Sequence, residues 1–219
     1  MKDYNVHLTN TENYKVGTIF CIGQNYAKHI AEMGVTATSD PLVFIKPPQS
    51  ILQSGDTMKL PAFSKNVHYE VELVLLIGKE CQNISIENAK DYISAYGVGI
   101  DMTARDIQLN AKKEGNPWAV AKGFYQSAPI SKFIPANELN GNTYFDLKLF
   151  LNGELRQSTN TKEMERSIEQ LVSYLSQLFT LRAGDLIFTG TPNGVGKLNP
   201  GDKLQATLND TIDLLINIE

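Results

Sequence analysis

The amino-acid sequence predicts an α+β fold that is predominantly β, with a mixed sheet and a few peripheral helices. Short stretches rich in β-branched and aromatic residues recur along the chain, an Asn–Gly pair separates two of them, and helical periodicity is strong at one place only. Helices are too sparse between the strands for regular βαβ winding. A mixed sheet is therefore favoured over a doubly wound parallel one.

Nine stretches have the composition of strands. They are residues 16–23, 42–48, 67–78, 96–102, 144–151, 154–157, 185–190, 202–208 and 211–219. Between the fifth and sixth, Asn152-Gly153 has the composition of a type I′ turn, in which both central residues need positive φ. We therefore expect a hairpin at this pair. Residues 189–202, rich in Gly, Pro and Asn, are expected to form a shaped loop.

One helix is indicated clearly and three more weakly. Residues 164–179 carry apolar side chains at helical spacing, namely Ile168, Leu171, Val172, Leu175, Leu178 and Phe179. Weaker helices are expected over 85–93, capped by Ser85, and over 103–115, capped by Thr103 and stopped near Gly115. A fourth, over 25–33, would end at Gly34.

Length and composition bound the class of protein. The chain has 219 residues, of which 42% are hydrophobic and 20% charged, and these values suit one soluble domain spanning 1–219. The net charge of −4 gives no basic field for nucleic acid or anionic membrane. We expect neither secretion nor membrane insertion, because the first ten residues lack an apolar core and no apolar run approaches the ~20 residues of a membrane span. Cys21 and Cys81 are expected to be reduced core residues, so we expect a cytoplasmic protein.

Two glutamates interrupt an otherwise apolar strand. Glu70 and Glu72 lie two residues apart in the stretch 67–78, so alternation places them on one face, with backbones roughly 6.6 Å apart. Two sheltered carboxylates this close repel each other. A basic side chain, a shared proton or a metal cation would relieve the repulsion, and a basic side chain is the commonest explanation for such a pair.

A third carboxylate strengthens the metal interpretation. Asp101 ends the apolar stretch 96–102 and precedes the helix expected over 103–115. Together with Glu70 and Glu72 it would form an all-oxygen site, which suits Mg²⁺, Mn²⁺ or Ca²⁺ better than zinc. The alternative for Asp101 is an acid that interacts with the dipole at the start of a helix.

Five ordered stretches resemble the fumarylacetoacetate hydrolase superfamily, and most closely its small acylpyruvase and oxaloacetate decarboxylase-like members. They are HYEVELVLLIG, GVGIDMTARDIQ, PWAVAKGFYQSAPIS, LFLNGELRQ and DLIFTGTPNGVG, and the resemblance runs from about residue 16 to the end. It implies a mixed β-sheet roll of the type of that family's C-terminal domain, in a single domain, and commonly a homodimer. It further implies that Glu70, Glu72 and Asp101 bind one divalent cation, Mg²⁺ first and Mn²⁺ as the alternative, which holds a 2-oxo acid.

The same resemblance gives a role to a histidine that spacing alone does not. His29 and Glu32 are three residues apart and share one side of the short helix over 25–33, where the carboxylate can orient the imidazole. By spacing, a solvated surface pair is the simpler interpretation. In hydrolytic members a His–Glu pair on a lid segment deprotonates a water near the metal, and members that only isomerise often lack it.

Four further residues match positions that contact substrate in the family. Lys122 resembles a lysine that stabilises negative charge, Arg105 and Gln108 resemble contacts to the substrate carboxylate, and Thr191 resembles a loop threonine that hydrogen-bonds the oxo acid. The alternatives are a solvated lysine and ordinary turn chemistry. Tyr125 stands where many larger members have an acid, which favours the acylpyruvase-like subgroup.

These residues lead to one expected function and two alternatives. The first is a divalent-metal-dependent hydrolase that cleaves the C–C bond of 2,4-dioxo acids, such as acetylpyruvate or fumarylpyruvate, to pyruvate and a carboxylic acid. The second uses the same site as an oxaloacetate decarboxylase or tautomerase. The third is a non-enzymatic, cation-stabilised β-rich binding module.

Overall fold

A computed structural model of the protein describes residues 4–34, 36, 38–139, 141 and 144–219. In this part of the chain the strands, numbered β1 to β18, are Asn5–His7, Asn13–Lys15, Ile19–Gly23, Leu42–Lys46, Ile51–Gln53, Thr57–Met58, Val67–Tyr69, Val71–Ile77, Ile93–Ile100, Thr103–Ala104, Ala128–Ile130, Ile134–Pro135, Asp146–Leu151, Glu154–Asn160, Leu186–Phe188, Gly196–Lys197, Lys203–Leu208 and Ile212–Ile218. The α-helices α1 to α4 are Ala27–Glu32, Arg105–Glu114, Ala119–Lys122 and Ile168–Leu178. Short 3-10 helices span Pro48–Ser50, Ile86–Tyr92, Ala136–Glu138 and Thr161–Glu163.

Two sheets form the body of the fold. The larger has the order β4-β3-β15-β8-β9-β11-β5, with β12 also paired to β9, and the smaller has the order β14-β13-β17-β18-β6. The larger sheet is mixed, because β15 runs parallel to β3 and β11 parallel to β5 while the other pairs are antiparallel. The predicted α+β fold, predominantly β with a mixed sheet, is confirmed.

The strand β8 lies at the centre of the core. All seven of its residues are buried, and alternate side chains enter different hydrophobic clusters: Leu73 and Leu75 one, Val74 and Leu76 the other. The first cluster also contains residues of the smaller sheet, such as Leu147 and Leu214, so the two sheets pack together. Burial on both faces explains why this stretch is apolar throughout rather than alternating.

The predicted strand over 67–78 is two strands. The chain leaves the sheet at Glu70: β7 pairs with β10 and β16 in a small three-stranded sheet, and β8 belongs to the large sheet. A single continuous strand is therefore wrong, because Glu70 lies in a break between β7 and β8. The side chains of Glu70 and Glu72 nevertheless converge.

The hairpin and the main helix are confirmed. Asn152 and Gly153 have φ values of 53° and 83° and connect β13 to β14, as a type I′ turn requires. Helix α4 begins with a reciprocal capping box between Ser167 and Gln170, which fixes its start inside the predicted stretch. Leu178 departs from the predicted buried stripe because it is 54% exposed in the last turn.

One predicted helix differs in type and another in its start. Residues 86–92 form a 3-10 helix rather than an α-helix, and the Ser85 side chain makes no capping bond. Helix α2 begins at Arg105 instead of after Thr103, because Thr103 is in β10 and its hydroxyl accepts a hydrogen bond from Lys122 Nζ. The predicted end of α2 is confirmed by Gly115, which has the left-handed φ of 71°.

Helix α1 lies inside the predicted stretch 25–33, and Gly34 follows it with a φ of 63°. Cys21 and Cys81 are free and buried, as expected. None of the helices in the described residues has the length and apolar character of a membrane span.

Candidate metal centre and active site

Three buried carboxylates lie together where strand β8 begins and the neighbouring strand β9 ends. Glu70 lies between β7 and β8, Glu72 is the second residue of β8, and Asp101 directly follows β9. In the antiparallel pairing Glu72 is opposite Gly99, and the Asp101 N–H donates to the Glu70 carbonyl over 2.8 Å. One oxygen from each carboxylate can be chosen so that all lie within 4.8 Å of one another. The strand register therefore assembles the cluster.

Basic side chains compensate Glu70 and Asp101. Lys122 Nζ lies 2.8 Å from Glu70 Oε2, 2.5 Å from Asp101 Oδ2 and 2.6 Å from Thr103 Oγ1, and Arg105 Nη2 donates to Glu70 Oε1. Burial opposes ionisation of Glu70, but Lys122 and Arg105 outweigh it and hold its pKa well below the usual range. Burial likewise opposes the charge on Lys122, yet Asp101 and Glu70 raise its pKa. Glu70 and Lys122 are therefore both charged at neutral pH.

Glu72 is compensated much less. No basic side chain of the described residues forms an ion pair with it, and its Oε2 accepts only the Gly190 N–H, over 2.7 Å. Burial first, and then the charges of Asp101 and Glu70, raise its pKa well above the usual range. The cluster therefore has one carboxylate with no ion-pair partner among the described residues.

A buried lysine supports Asp101 from behind. Lys46, at the end of β4, is fully buried, and its Nζ donates to the carbonyls of Met102 at 3.2 Å, Ser127 at 2.9 Å and Lys122. The same Nζ lies 2.8 Å from Asp101 Oδ1. The angles there are not those of a hydrogen bond, so Asp101 Oδ1 is buried without a hydrogen-bond donor among the described residues.

The donor set fits a hard divalent cation. All the candidate ligand atoms are carboxylate oxygens, and among the described residues Glu72 has no basic ion-pair partner and Asp101 Oδ1 no hydrogen bond. A carboxylate oxygen has more than one lone pair, so Glu70 and Asp101 can bind a cation without losing Lys122. Oxygen ligands of this kind suit Mg²⁺ or Mn²⁺.

A histidine and a glutamate from α1 lie beside the cluster. His29 is buried, its Nδ1 is 3.1 Å from Glu32 Oε2, and its Nε2 has no hydrogen-bond partner among the described residues. Glu32 Oε1 in turn accepts the Gly194 N–H over 3.0 Å. Gly194 has a φ of 96°, and a Cβ there would lie 2.2 Å from the Arg156 carbonyl oxygen, so only glycine fits. The pair is thus held by the loop after β15.

The substrate-contact residues predicted from the family lie around the same space. Arg105 Nη1 donates to Gln108 Oε1 over 2.6 Å on the face of α2 that meets the carboxylates. Thr191 Oγ1 accepts from Gln157 Nε2 over 2.9 Å, and Gln157 Oε1 accepts the Val71 N–H. Gln157 therefore joins the loop after β15 to strand β8.

One cavity, of about 40 Å³, unites these groups. Eight of the nine predicted site residues line it, and Glu32, the ninth, lies behind His29. The eight are His29, Glu70, Glu72, Asp101, Arg105, Gln108, Lys122 and Thr191.

Several residues of the site did not follow from the sequence. Gln24 lines the cavity with a left-handed φ of 60°, which is rare outside glycine, and its Oε1 is buried without a partner. In the sequence, its position between a predicted strand and a predicted helix was the feature that could have pointed to it. Lys46 could also have been noticed, because a lysine inside an apolar strand needs a buried anion or backbone carbonyls as partners. Lys112 and Trp118 also line the cavity.

Comparison with known proteins identifies the family of the chain. Residues 18–217 match the family described as fumarylacetoacetate (FAA) hydrolase C-terminal. The chain belongs to this family. The match covers nearly all of the chain, and the predicted resemblance is confirmed.

Relatives within the family have related names. Oxaloacetate tautomerase YcgM of Escherichia coli is 44% identical over 89% of this chain and 90% of its own length. Mitochondrial oxaloacetate tautomerase FAHD1 of Bos taurus is 41% identical over 92% of this chain and 91% of its own length. The fumarylpyruvate hydrolase of Pseudomonas aeruginosa, solved with Mn²⁺ and pyruvate, is 34% identical to this chain and superposes with a TM-score of 0.95. The match covers 100% of this chain and 96% of the hydrolase. Its fold is that of the present chain.

Proposed function

We propose that the protein is a divalent-cation-dependent enzyme that interconverts the keto and enol forms of oxaloacetate. Glu70, Glu72 and Asp101 would hold one cation, Mg²⁺ or Mn²⁺. The observation that carries the proposal is the shared cavity: an oriented histidine with a free ring nitrogen faces three clustered carboxylates, of which one has no basic partner. The names of the relatives with 41% and 44% identity support oxaloacetate as the substrate.

The proton transfer is assigned to His29. Glu32 fixes the imidazole through Nδ1, which leaves Nε2 to accept the C3 proton of the keto form. The electron pair of that C–H bond forms the C2–C3 double bond, the C2 oxygen takes a proton from water to give the enol, and His29 then releases its proton to water. When bound, the cation supplies a Lewis acid that stabilises the developing enolate. Lys122 contributes a further positive charge at the floor of the cavity.

Arg105 and Gln108 are assigned to the carboxylate next to the keto group. The guanidinium already binds Glu70, and its planar donors suit a second carboxylate. Thr191, in the loop after β15, also lines the cavity, and its hydroxyl is oriented by Gln157. Together these groups would orient the substrate relative to His29.

A second candidate function is hydrolysis of 2,4-dioxo acids, and the fumarylpyruvate hydrolase structure favours it. In that reaction His29 takes a proton from water, the hydroxide attacks C4, and the C3–C4 bond breaks. The enolate of pyruvate leaves and is protonated at C3, so the products are pyruvate and a carboxylic acid. Decarboxylation of oxaloacetate would give the same enolate with loss of CO₂.

One screen separates these functions. Enol decay reports oxaloacetate tautomerisation, pyruvate release from oxaloacetate reports decarboxylation, and loss of diketone absorbance reports hydrolysis of acetylpyruvate and fumarylpyruvate. We expect tautomerisation to depend on added Mg²⁺ or Mn²⁺ and to stop in chelator. Turnover that is unaffected by chelator would contradict the proposal, and no turnover of any substrate would favour a cation-stabilised binding module.

We also infer a homodimer in a reducing compartment such as the cytoplasm. The family resemblance supports the dimer, and two free buried cysteines suit reducing conditions. Light scattering of the purified protein tests the dimer.

A further inference from the structure

One face of α2 carries a row of polar side chains that leads away from the carboxylates. Arg105, Gln108 and Lys112 are spaced by three and four residues, so they lie on one side of the helix, and all line the cavity. At a rise of about 1.5 Å per residue, Lys112 is about 10 Å along the axis from Arg105. Arg105 contacts Glu70, whereas Lys112 is an exposed residue at the cavity mouth.

Two aromatic rings hold two ammonium groups at different depths. Lys122 Nζ lies 4.9 Å from the Phe44 ring centroid, and Lys112 Nζ lies 5.0 Å from that of Trp118. The Phe44 and Trp118 centroids are 5.9 Å apart. Lys122 is thereby fixed at the buried end and Lys112 at the open end, with the aromatic pair between them.

The charges of the cavity favour a substrate with two negative charges. Three carboxylates and three strongly basic side chains line it, so a bound divalent cation would leave a surplus of positive charge. Although exposed as a whole residue, Lys112 belongs to this field: partial burial of its side chain, and then the charges of Arg105 and Lys122, lower its pKa. Unlike Arg105 and Lys122, Lys112 has no carboxylate partner within ion-pair distance among the described residues.

We propose that Lys112 is a specificity-determining residue that binds the second carboxylate of a dicarboxylate 2-oxo acid at the mouth of the cavity. The inference rests on the proposed function, because the first carboxylate and the keto group must occupy the inner end. It predicts that dianionic substrates, with a carboxylate at each end, are preferred over monoanionic ones. Trp118 is a positioning residue that holds the ammonium group through its ring face.

The test compares oxaloacetate with its 4-methyl ester, which keeps the skeleton and lacks the distal charge. We expect Lys112→Met to lower kcat/KM for oxaloacetate about tenfold, through a higher KM, since one charge-assisted hydrogen bond is lost. The ester should be unaffected, and Lys112→Arg should restore most of the preference. Lys113→Met is the matched control, because Lys113 is on the same helix, exposed, and outside the cavity lining.

A binding measurement separates this inference from the proposed function. 3,3-Difluoro-oxaloacetate has no C3 proton, so calorimetry reports its affinity without tautomerisation. Lys112→Met should weaken its binding by the same factor and leave the binding of its 4-methyl ester unchanged. Equal losses for diacid and ester, or equal effects of Lys112→Met and Lys113→Met, would overturn the role of Lys112. If wild type binds the diacid but converts no substrate, the proposed function fails and the inference stands.

Discussion

Glu72→Gln is expected to abolish cation binding and lower turnover about a thousandfold, while the metal-free protein remains at least as stable as wild type. Loss of the Lewis acid raises the activation barrier by several kcal/mol. Folding does not suffer because Glu72 is a buried carboxylate without a basic partner, and the amide oxygen of glutamine can still accept the Gly190 N–H. Thermal unfolding in chelator and with Mn²⁺ measures the stability, and calorimetric titration measures cation binding.

Glu70→Gln is the matched control, because it is the same chemical change in the same cluster. Glu70 is bound to Lys122 and Arg105, so its neutralisation leaves two buried cations undercompensated and should cost about 3–5 kcal/mol of stability. A Glu72→Gln protein that unfolds as easily as Glu70→Gln would show that Glu72 is a structural anion. Retention of the Mn²⁺-induced rise in Tm would also contradict its role as a ligand.

His29→Ala is expected to lower tautomerisation and hydrolysis by about 10²–10⁴-fold, the usual contribution of a positioned general base. Both reactions need a group that accepts a proton, from C3 or from water. Decarboxylation of oxaloacetate should persist, because it can proceed once the 2-oxo acid is bound. Cation affinity should be unchanged, since His29 is outside the carboxylate cluster. Parallel assays of the three reactions and a Mn²⁺ titration measure these quantities.

Glu32→Gln tests the orientation of the histidine. The amide can keep one hydrogen bond to His29 Nδ1 but loses the negative charge, so a smaller loss of tautomerisation and hydrolysis is expected.

If His29→Ala lowered decarboxylation as much as hydrolysis, the histidine would not act as the base that distinguishes these two reactions.

The carboxylate cluster was predictable because its signal is local. Glu70 and Glu72 are two residues apart, and Asp101 ends a stretch that is itself recognisable as a strand, so three charges in apolar surroundings mark the place. Which strands pair was not evident from pattern. The pairing of β8 with β9 is what brings Asp101 to Glu70.

Lys46 could not be placed in advance because its role depends on long-range contacts. The pairing of β4 with β3 buries it at the edge of the large sheet, beside Asp101 and the Ser127 carbonyl. The start of α2 was mispredicted for a related reason. Thr103 has the composition of an N-cap, but its hydroxyl is used by Lys122, from a helix about twenty residues later. Tertiary contacts at the site therefore override local capping preference.

Diffraction from crystals grown with Mn²⁺, using its anomalous signal, tests the central claim most directly. We expect one strong peak bonded to an oxygen of each of Glu70, Glu72 and Asp101, at about the 2.0–2.6 Å typical of hard divalent cations. A peak elsewhere, or a cluster in which Lys122 and Arg105 satisfy the carboxylates and no cation binds, would contradict it.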